Sequence, residues 1–526
     1  MDRSMAREKP ESGLRPTLGL TGVTVNAMAL IAPGAFLWIT YQLQAAQTVP
    51  GGTGTTALDM WPGIVFALVL AFLTALSYSE LARIYPEAGT GSCYYFAEKA
   101  FMDQNESSHQ KWARLAKLVT GWAAHLFYWV YPGVMVSFMA ILVAYILGQF
   151  GIDVGMVPQM AIAIIFSLVV GYIALRGVTG STMTALVINA IQLVALVGFS
   201  ALAISYRLVN PDHATFVHAS AASIVLPKNL VNVLLQSTIA ILILVGFESA
   251  TAFGAEAKNA KRDVPRAVIL ALVIQGLFAY LIEYFAGNFA LSDKLTYTAA
   301  DGTVLKGLDA AAASNAPIGD LIRQVGDSML GGFGFGLMIV VAISVALAIL
   351  GTTLSAMNTG VRITYAMAQD TEMPELLGLL HGRFVTPHMA VAVMSVVSAI
   401  IGVAGTISVV TLTGLTLASN FGTFVLYALT CLWAIVAFVK RADFNLFKHG
   451  LVPALGLLAN LVMLVTIFAM GIMGEGDVRT ESFIALGVAG LWAAASVIYV
   501  VLTDRRTGRS LFQSSLRPVH SPARRG

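Results

Sequence analysis

Two short stretches of this 526-residue chain carry residue types that an apolar helix alone does not need. The first is Gly246, Phe247, Glu248 and Ser249, set in LLQSTIAILILVGFESATAFG with Val245 just before and Thr251 and Gly254 just after. A carboxylate inside a hydrocarbon layer is costly unless it meets a donor, a cation or water, so Glu248 reads as a group that holds a cation or carries a proton. A Glu that only caps a broken helix is the alternative. The second is Ala32, Pro33 and Gly34 in TGVTVNAMALIAPGAFLWITYQLQ. Proline lacks the N–H that the helix ladder uses and glycine tolerates unwound backbone, so these residues open the helix or simply kink it.

The elements that must position these groups follow from composition. The chain is 57% hydrophobic and 11% charged, whereas a soluble domain carries about 25% charged residues. A hydrocarbon core about 30 Å thick needs about 20 apolar residues per helix. Apolar segments fall near 20–48, 61–84, 120–149, 157–175, 182–206, 230–254, 266–291, 333–360, 388–405, 408–439, 450–473 and 482–502. They predict an all-α membrane protein of about 12 helices, numbered 1 to 12 in that order. The chain then divides into a tail at 1–17, five helices over 18–206, five over 207–439 with a long loop at 292–332, a closing pair over 440–502 and a tail at 503–526.

Orientation follows from charge, because cytoplasmic loops hold the excess of Lys and Arg. Of the 31 such residues, 25 fall on the side of the termini. Both termini are therefore expected in the cytoplasm, with the chain spanning an inner membrane. The first apolar segment follows a polar stretch and shows no cleavage site, so it is expected to stay as helix 1. Cys93 and Cys431 make no disulfide framework and read as packing residues. A net charge of +3 gives no reason to expect nucleic acid, and the basic ending RPVHSPARRG reads as a membrane-surface anchor. The loop at 292–332 holds Asp293, Asp301, Asp309, Asp320 and Asp327, which would make an acidic vestibule, or a solvated loop with a short helix near 307–325.

Helices 1 and 6 each open a block of five, the pattern of inverted repeats whose broken helices meet at the membrane midplane. Free amides at half-helix starts favour a carboxylate, and free carbonyls at half-helix ends favour an ammonium or Na+. A zwitterion fits such a place.

The run GFESATAFGAEAKNAKRDVPRAV resembles the sixth-helix signature of the amino acid-polyamine-organocation permeases. ALSYSELARIYPEAGTGSCYYFAEKAF and NTGVRITYAMAQDTEMPELLG resemble that superfamily's second-helix loop and the end of its eighth helix. The resemblance covers residues 18–440 and implies a leucine-transporter-type five-plus-five fold, alternating access, and a substrate between helices 1, 3, 6, 8 and 10. Carried over by position, the substrate would meet Ala32, Pro33, Gly34, Ala35, Val245, Gly246, Phe247, Glu248 and Ser249. The implied activity is secondary transport of amino acids by symport or exchange, with polyamines or other amines as the alternative.

Two departures from the family pattern matter. Pro33 stands where amino acid carriers have a serine-like donor, so carboxylate capture would fall to Gly34, Ala35 and the helix 6 amides. A methionine-and-proline break is similar to that of putrescine importers. Helix 5 has no lysine, and TALVINAIQLVALVG offers Asn189 instead. Thr352, Thr353, Ser355 and Asn358 of helix 8 supply oxygens for Na+, or else bond back to their own helix. Glu248 and Glu283 are the residues that could carry a proton, and no cofactor beyond Na+ or H+ is expected.

Among aromatic residues, Tyr128, Trp129 and Tyr131 of helix 3, Trp38 and Phe247 could stack on a cation, although most membrane aromatics pack or anchor. His125 reads as a titratable group or an interhelical donor. A channel would need rings of carbonyls or like charges, and an enzyme would need a paired acid-base or metal constellation; the sequence repeats neither pattern. The expected partners are a small amino acid or amine and the lipid bilayer.

Overall fold

The computed structural model describes residues 17–513 apart from 32–33, 51–53, 87–90, 104–106, 177–181, 212–216, 300 and 385. Eleven of its helices are long and apolar enough to cross a membrane, and the shorter Leu20–Ile31 belongs to the remaining, broken crossing. Helix 1 comprises Leu20–Ile31 and Ala35–Ala46. Helices 2 to 5 are Met60–Ile84, Ala113–Gln149, Met156–Leu175 and Thr182–Val209. Helix 6 comprises Leu230–Ala240 and Phe247–Phe253, and helix 7 runs over Ala260–Ala290. Helices 8 to 12 are Gly334–Gln369, His388–Gly405, Val409–Phe438, Val452–Met473 and Gly476–Thr507.

Local sequence explains where several of these elements stop. Helix 2 ends at Ile84 because Tyr85 precedes Pro86, and a residue before proline is pushed out of helical backbone. Helix 3 begins seven residues before the expected start, at Ala113, and so contains Arg114 and Lys117. Buried charges need partners, and both have them. Arg114 Nε meets Glu372 at 2.7 Å and Nη2 meets Asp504 at 2.6 Å, while Lys117 Nζ meets Glu98 at 3.2 Å and Asp370 at 3.0 Å.

Four crossings lie between helix 1 and helix 6, so the two run in opposite directions. The contacts agree: Leu18, just before helix 1, accepts from Lys258 N just beyond helix 6 at 2.8 Å, and Leu18 N donates to Glu256 O at 2.9 Å. The face where helix 1 starts and helix 12 ends is called the terminal face below. Small residues let helices approach closely, as membrane interfaces require. A Cβ at Gly133 of helix 3 would lie 2.5 Å from Ile401 of helix 9, and one at Gly402 would lie 2.3 Å from Val136.

The expected loop between helices 7 and 8 folds at the opposite face. It forms a hairpin of Thr296–Thr298 and Val304–Lys306, then helices Gly307–Ala313 and Pro317–Met329. The second of these buries Ile318, Leu321, Ile322 and Val325 against the ends of the bundle.

Candidate functional site

The site is built where the two broken helices meet. An α-helix leaves its last four carbonyls without intrahelical donors. In the first half of helix 1 these belong to Met28, Ala29, Leu30 and Ile31, and each accepts from a side chain of another helix. Gln275 Nε2 reaches Met28 O at 2.9 Å and Thr352 Oγ1 reaches Ala29 O at 3.1 Å. Tyr131 reaches Leu30 O at 3.4 Å and Tyr280 reaches Ile31 O at 2.9 Å. Gln275 and Tyr280 come from a π-helical stretch of helix 7, Val273–Tyr280, whose wider turn brings both toward helix 1. Ala32 and Pro33 lie outside the described residues. Beyond them Gly34 adopts φ 82°, and the second half of helix 1 opens at Ala35.

Helix 6 loses its α-helical ladder after Ala240, tightens through Ile241–Ile243, and turns at Gly246 with φ 126°. A Cβ on Gly246 would sit 2.8 Å from Ile31 Cγ1 and 2.9 Å from Ile31 N. The two breaks are therefore in contact, and glycine is required both for the backbone angle and for the approach. Glu248 follows and is 2% exposed. Its Oε2 accepts from Gly246 N at 2.9 Å and from Tyr427 OH at 2.8 Å, and its Oε1 accepts from Tyr128 OH at 3.1 Å. Ser249 Oγ donates to Gly246 O at 2.6 Å, and Thr251 is hydrogen-bonded to Ser92 at the start of the helix Cys93–Met102. Phe247 stands edge-on to Tyr78 at 6.2 Å and tilts against Tyr427 at 5.4 Å. Val245 is buried beside them.

A carboxylate offers about four acceptor positions, and the three donors to Glu248 leave one on Oε1. Glu248 thus caps the amide of its own break while keeping an acceptor position in an aromatic surround. The first-turn amides after Gly34 face no capping side chain, since glycine has none to offer. The arrangement supplies an acceptor at one break and helix-terminal donors at the other.

Of the residues considered for ion coupling, Glu248 is at the junction itself, while Asn189, Ser355 and Asn358 lie on its terminal-face side. A cavity of about 240 Å³ is lined by Asn26, Asn189, Ser355, Asn358, Thr359 and Arg362, among others. Asn189 Nδ2 donates to Ala185 O at 2.8 Å and its Oδ1 accepts from Gln275 at 3.4 Å. Thr352 caps helix 1 as described, whereas Thr353 bonds back to Ile349 O at 2.6 Å. Arg362 closes one end through Glu256 at 2.9 Å and Ala252 O at 3.3 Å, stacked over Phe253. Glu283 is buried in helix 7, and its Oε2 has no partner among the described residues.

Of the aromatic set, Tyr128 and Phe247 sit at Glu248 and Tyr131 at the end of the first half-helix. Trp129 and His125 instead bond Thr364 of helix 8, at 3.3 and 2.8 Å, and Trp38 packs against Tyr145 near the opposite face. Cys93 and Cys431 are both buried. Sequence reasoning missed Tyr427, Tyr280 and Gln275. A tyrosine hydroxyl or an amide in mid-membrane must find a partner, and that is the signal that could have found them.

A family description, Amino acid permease, matches residues 17–494. The low-affinity putrescine importer PlaP of Escherichia coli K12 is 24% identical over 94% of each chain. The branched-chain amino acid permease BcaP of Lactococcus lactis is 25% identical over 79% of this chain and 83% of its own. The methylthioribose transporter of Bacillus subtilis is 23% identical over 66% of this chain and 68% of its own. With twelve crossings broken at helices 1 and 6, and a family match over nearly its whole length, this chain belongs to the amino acid permease family.

Proposed function

We propose that the chain carries amino acids, or amines related to them, across the cytoplasmic membrane by alternating access, with both termini in the cytoplasm. The observation that carries the reading is the junction of the two breaks, where the one buried acceptor position on Glu248 faces an aromatic surround. An ammonium group gains a charge-assisted hydrogen bond there and ring faces besides. The carboxylate of a zwitterion is taken by the amides that begin at Gly34 and Ala35 and by those of helix 6. Val245, Gly246, Phe247, Ser249 and Tyr128 complete the surround, and Ala32 and Pro33 are assigned to it from the family pattern alone. The relatives named for branched-chain amino acids and for putrescine support a site that reads the amine.

The polyamine reading stands beside it because a diamine needs the acceptor at Glu248 and no carboxylate receptor, and Pro33 withholds one donor. The coupling cation, Na+ or a proton, is assigned to the cavity holding Asn189, Ser355 and Asn358, whose lining also includes Ala29, the residue whose carbonyl Thr352 caps. The cytoplasmic position of the termini is read from the 25 of 31 Lys and Arg residues on their side.

The test is uptake into proteoliposomes of labelled amino acids and putrescine, with and without imposed Na+ and proton gradients. Accumulation of a zwitterion supports the carboxylate receptor, whereas uptake of diamines alone leaves only the amine reading. Glu248→Gln keeps the Gly246 cap but loses the charge, and uptake is expected to fall at least tenfold with the melting temperature little changed. Undiminished uptake would remove Glu248 from the site.

A further inference from the structure

Away from the helix breaks, the opposite face holds a cavity of about 470 Å³ between the end of helix 3, the hairpin Thr296–Lys306 and the helix Pro317–Met329. Its walls include four charged side chains, Lys294, Asp320, Arg323 and Asp327. An even mixture of charge suggests self-neutralisation, but the hydrogen bonds divide them unequally.

The carboxylates accept hydrogen bonds and keep their charge. Asp320 Oδ1 accepts from Tyr145 OH at 2.8 Å and Oδ2 accepts from the Ser314 hydroxyl. Asp327 Oδ1 accepts from Gly334 N at 2.8 Å. The cations are not engaged to the same degree. Arg323 has five N–H donors, and its recorded bond is to Gln149 Oε1 at 2.9 Å, with the guanidinium held over the Phe335 ring. Among the described residues neither Arg323 nor Lys294 forms an ion pair. Gln324, also in the wall, donates to Tyr206 OH at 3.1 Å, while its buried Oε1 accepts from no donor. The cavity therefore has unspent cationic donors on Arg323 and Lys294, charged acceptor positions left on Asp320 and Asp327, and one unspent neutral acceptor on Gln324.

We propose that this cavity is a second binding site, outside the helix breaks, for small zwitterions carrying a carboxylate and an ammonium. Arg323 and Lys294 take the carboxylate, with the planar guanidinium suited to two-point contact, and the acceptor positions left on Asp327 and Asp320 take the ammonium, with Gln324 Oε1 behind them. A diamine is attracted by Asp320 and Asp327 but repelled by Arg323 and Lys294, whereas a zwitterion meets a partner of the opposite sign at each end, so the site favours amino acids over polyamines before either reaches Glu248. The position links it to the pathway. A Cβ at Gly319 would lie 2.3 Å from Trp38 of helix 1 and 2.9 Å from Tyr145 OH, so the helix that forms one wall rests directly on the second half of helix 1.

The proposal rests on the amino acid reading of the central site, and the experiment separates the two. Equilibrium binding of a panel of labelled L-amino acids and of putrescine is measured on the full chain in lipid nanodiscs, for wild type, Glu248→Gln and the double variant Arg323→Gln/Lys294→Gln. The expected result is about two amino acids bound per wild-type chain and about one in each variant, with putrescine binding unchanged or tighter in the double variant. Both substitutions in the double variant are at exposed positions, so the fold should persist and putrescine binding reports on it. Amino acid binding that the double variant leaves unchanged in number and affinity would overturn the second site and leave the permease reading standing. Binding of putrescine with no amino acid bound by wild type overturns both the second site and the amino acid reading, and leaves the amine one.

Discussion

At Gly246 two demands coincide, a left-handed backbone angle and the absence of a Cβ against Ile31. Gly246→Ala meets both penalties, and strained backbone of this kind costs of order 1–3 kcal/mol before the clash is added. The variant should melt several degrees lower and transport poorly, which a thermal melt in detergent and an uptake assay would check together. A variant as stable and active as wild type would mean that the breaks do not touch during transport. Glu248 differs in kind, because Glu248→Gln removes a charge while a side-chain oxygen remains to accept from Gly246 N. Its partners were not legible from sequence. Tyr427 lies 179 positions along the chain, and nothing in VLYALTCLW marks which tyrosine faces the bundle interior. The Glu and the two glycine breaks were legible because they interrupt an apolar run that has no local use for them.

The element that most depends on distant residues is the first half of helix 1. Its four end carbonyls are satisfied from helices 3, 7 and 8, two of them by the π-helical stretch of helix 7. Each neutral bond contributes about 1 kcal/mol, so Tyr280→Phe and Gln275→Leu should each lower stability by about that amount. Their larger effect is expected on transport, because the half-helix end then loses its fixed position. A double-mutant cycle on uptake and melting temperature checks whether the two act through that one end; strictly additive effects would show that they do not. Periodicity could place helix 7 but not its wide turn, since π geometry leaves no mark on an apolar pattern. Helix 3 was misjudged at its start for an electrostatic reason: Arg114 and Lys117 read as loop residues until Glu372, Asp504, Glu98 and Asp370 are seen to neutralise them. The segment 292–332 reads as acidic because composition does not show that Lys294 and Arg323 share one cavity with Asp320 and Asp327.

Across the whole molecule, pH should act through a group far from the breaks. Burial, helped by the Lys228 ammonium and opposed by Ser223 and Asp59, pushes the His218 imidazole from 6.5 down to about 4. Between those values the folded chain binds fewer protons than the unfolded one, so stability rises with pH across the window and is lost as pH falls from 6.5 toward 4. Melting temperature measured from pH 7 to pH 4 should show this decline, and His218→Gln should flatten it. An unchanged slope in that variant would place the proton uptake elsewhere.

The buried ion pairs near the terminal face have a mechanical meaning. Arg114 and Lys117 of helix 3 bind the end of helix 8 through Asp370 and Glu372 and the end of helix 12 through Asp504. Removing a partner from such a pair costs about 3–5 kcal/mol, whereas the bonds that hold helix 1 to its neighbours are neutral and worth about 1 kcal/mol each. On the proposed alternating-access reading, helices 3, 8 and 12 would serve as the stator, welded at one end by charge. The first half of helix 1, in contact with helix 6 at Ile31 and Gly246, would be the rotor, its neutral bearings free to exchange partners with water or cargo, whereas helix 6 stays tied to helix 8 through Arg362 and Glu256. A machine assembled in this way wears at the rotor, so variants that leave the chain intact but stalled should concentrate along helices 1, 6 and 7.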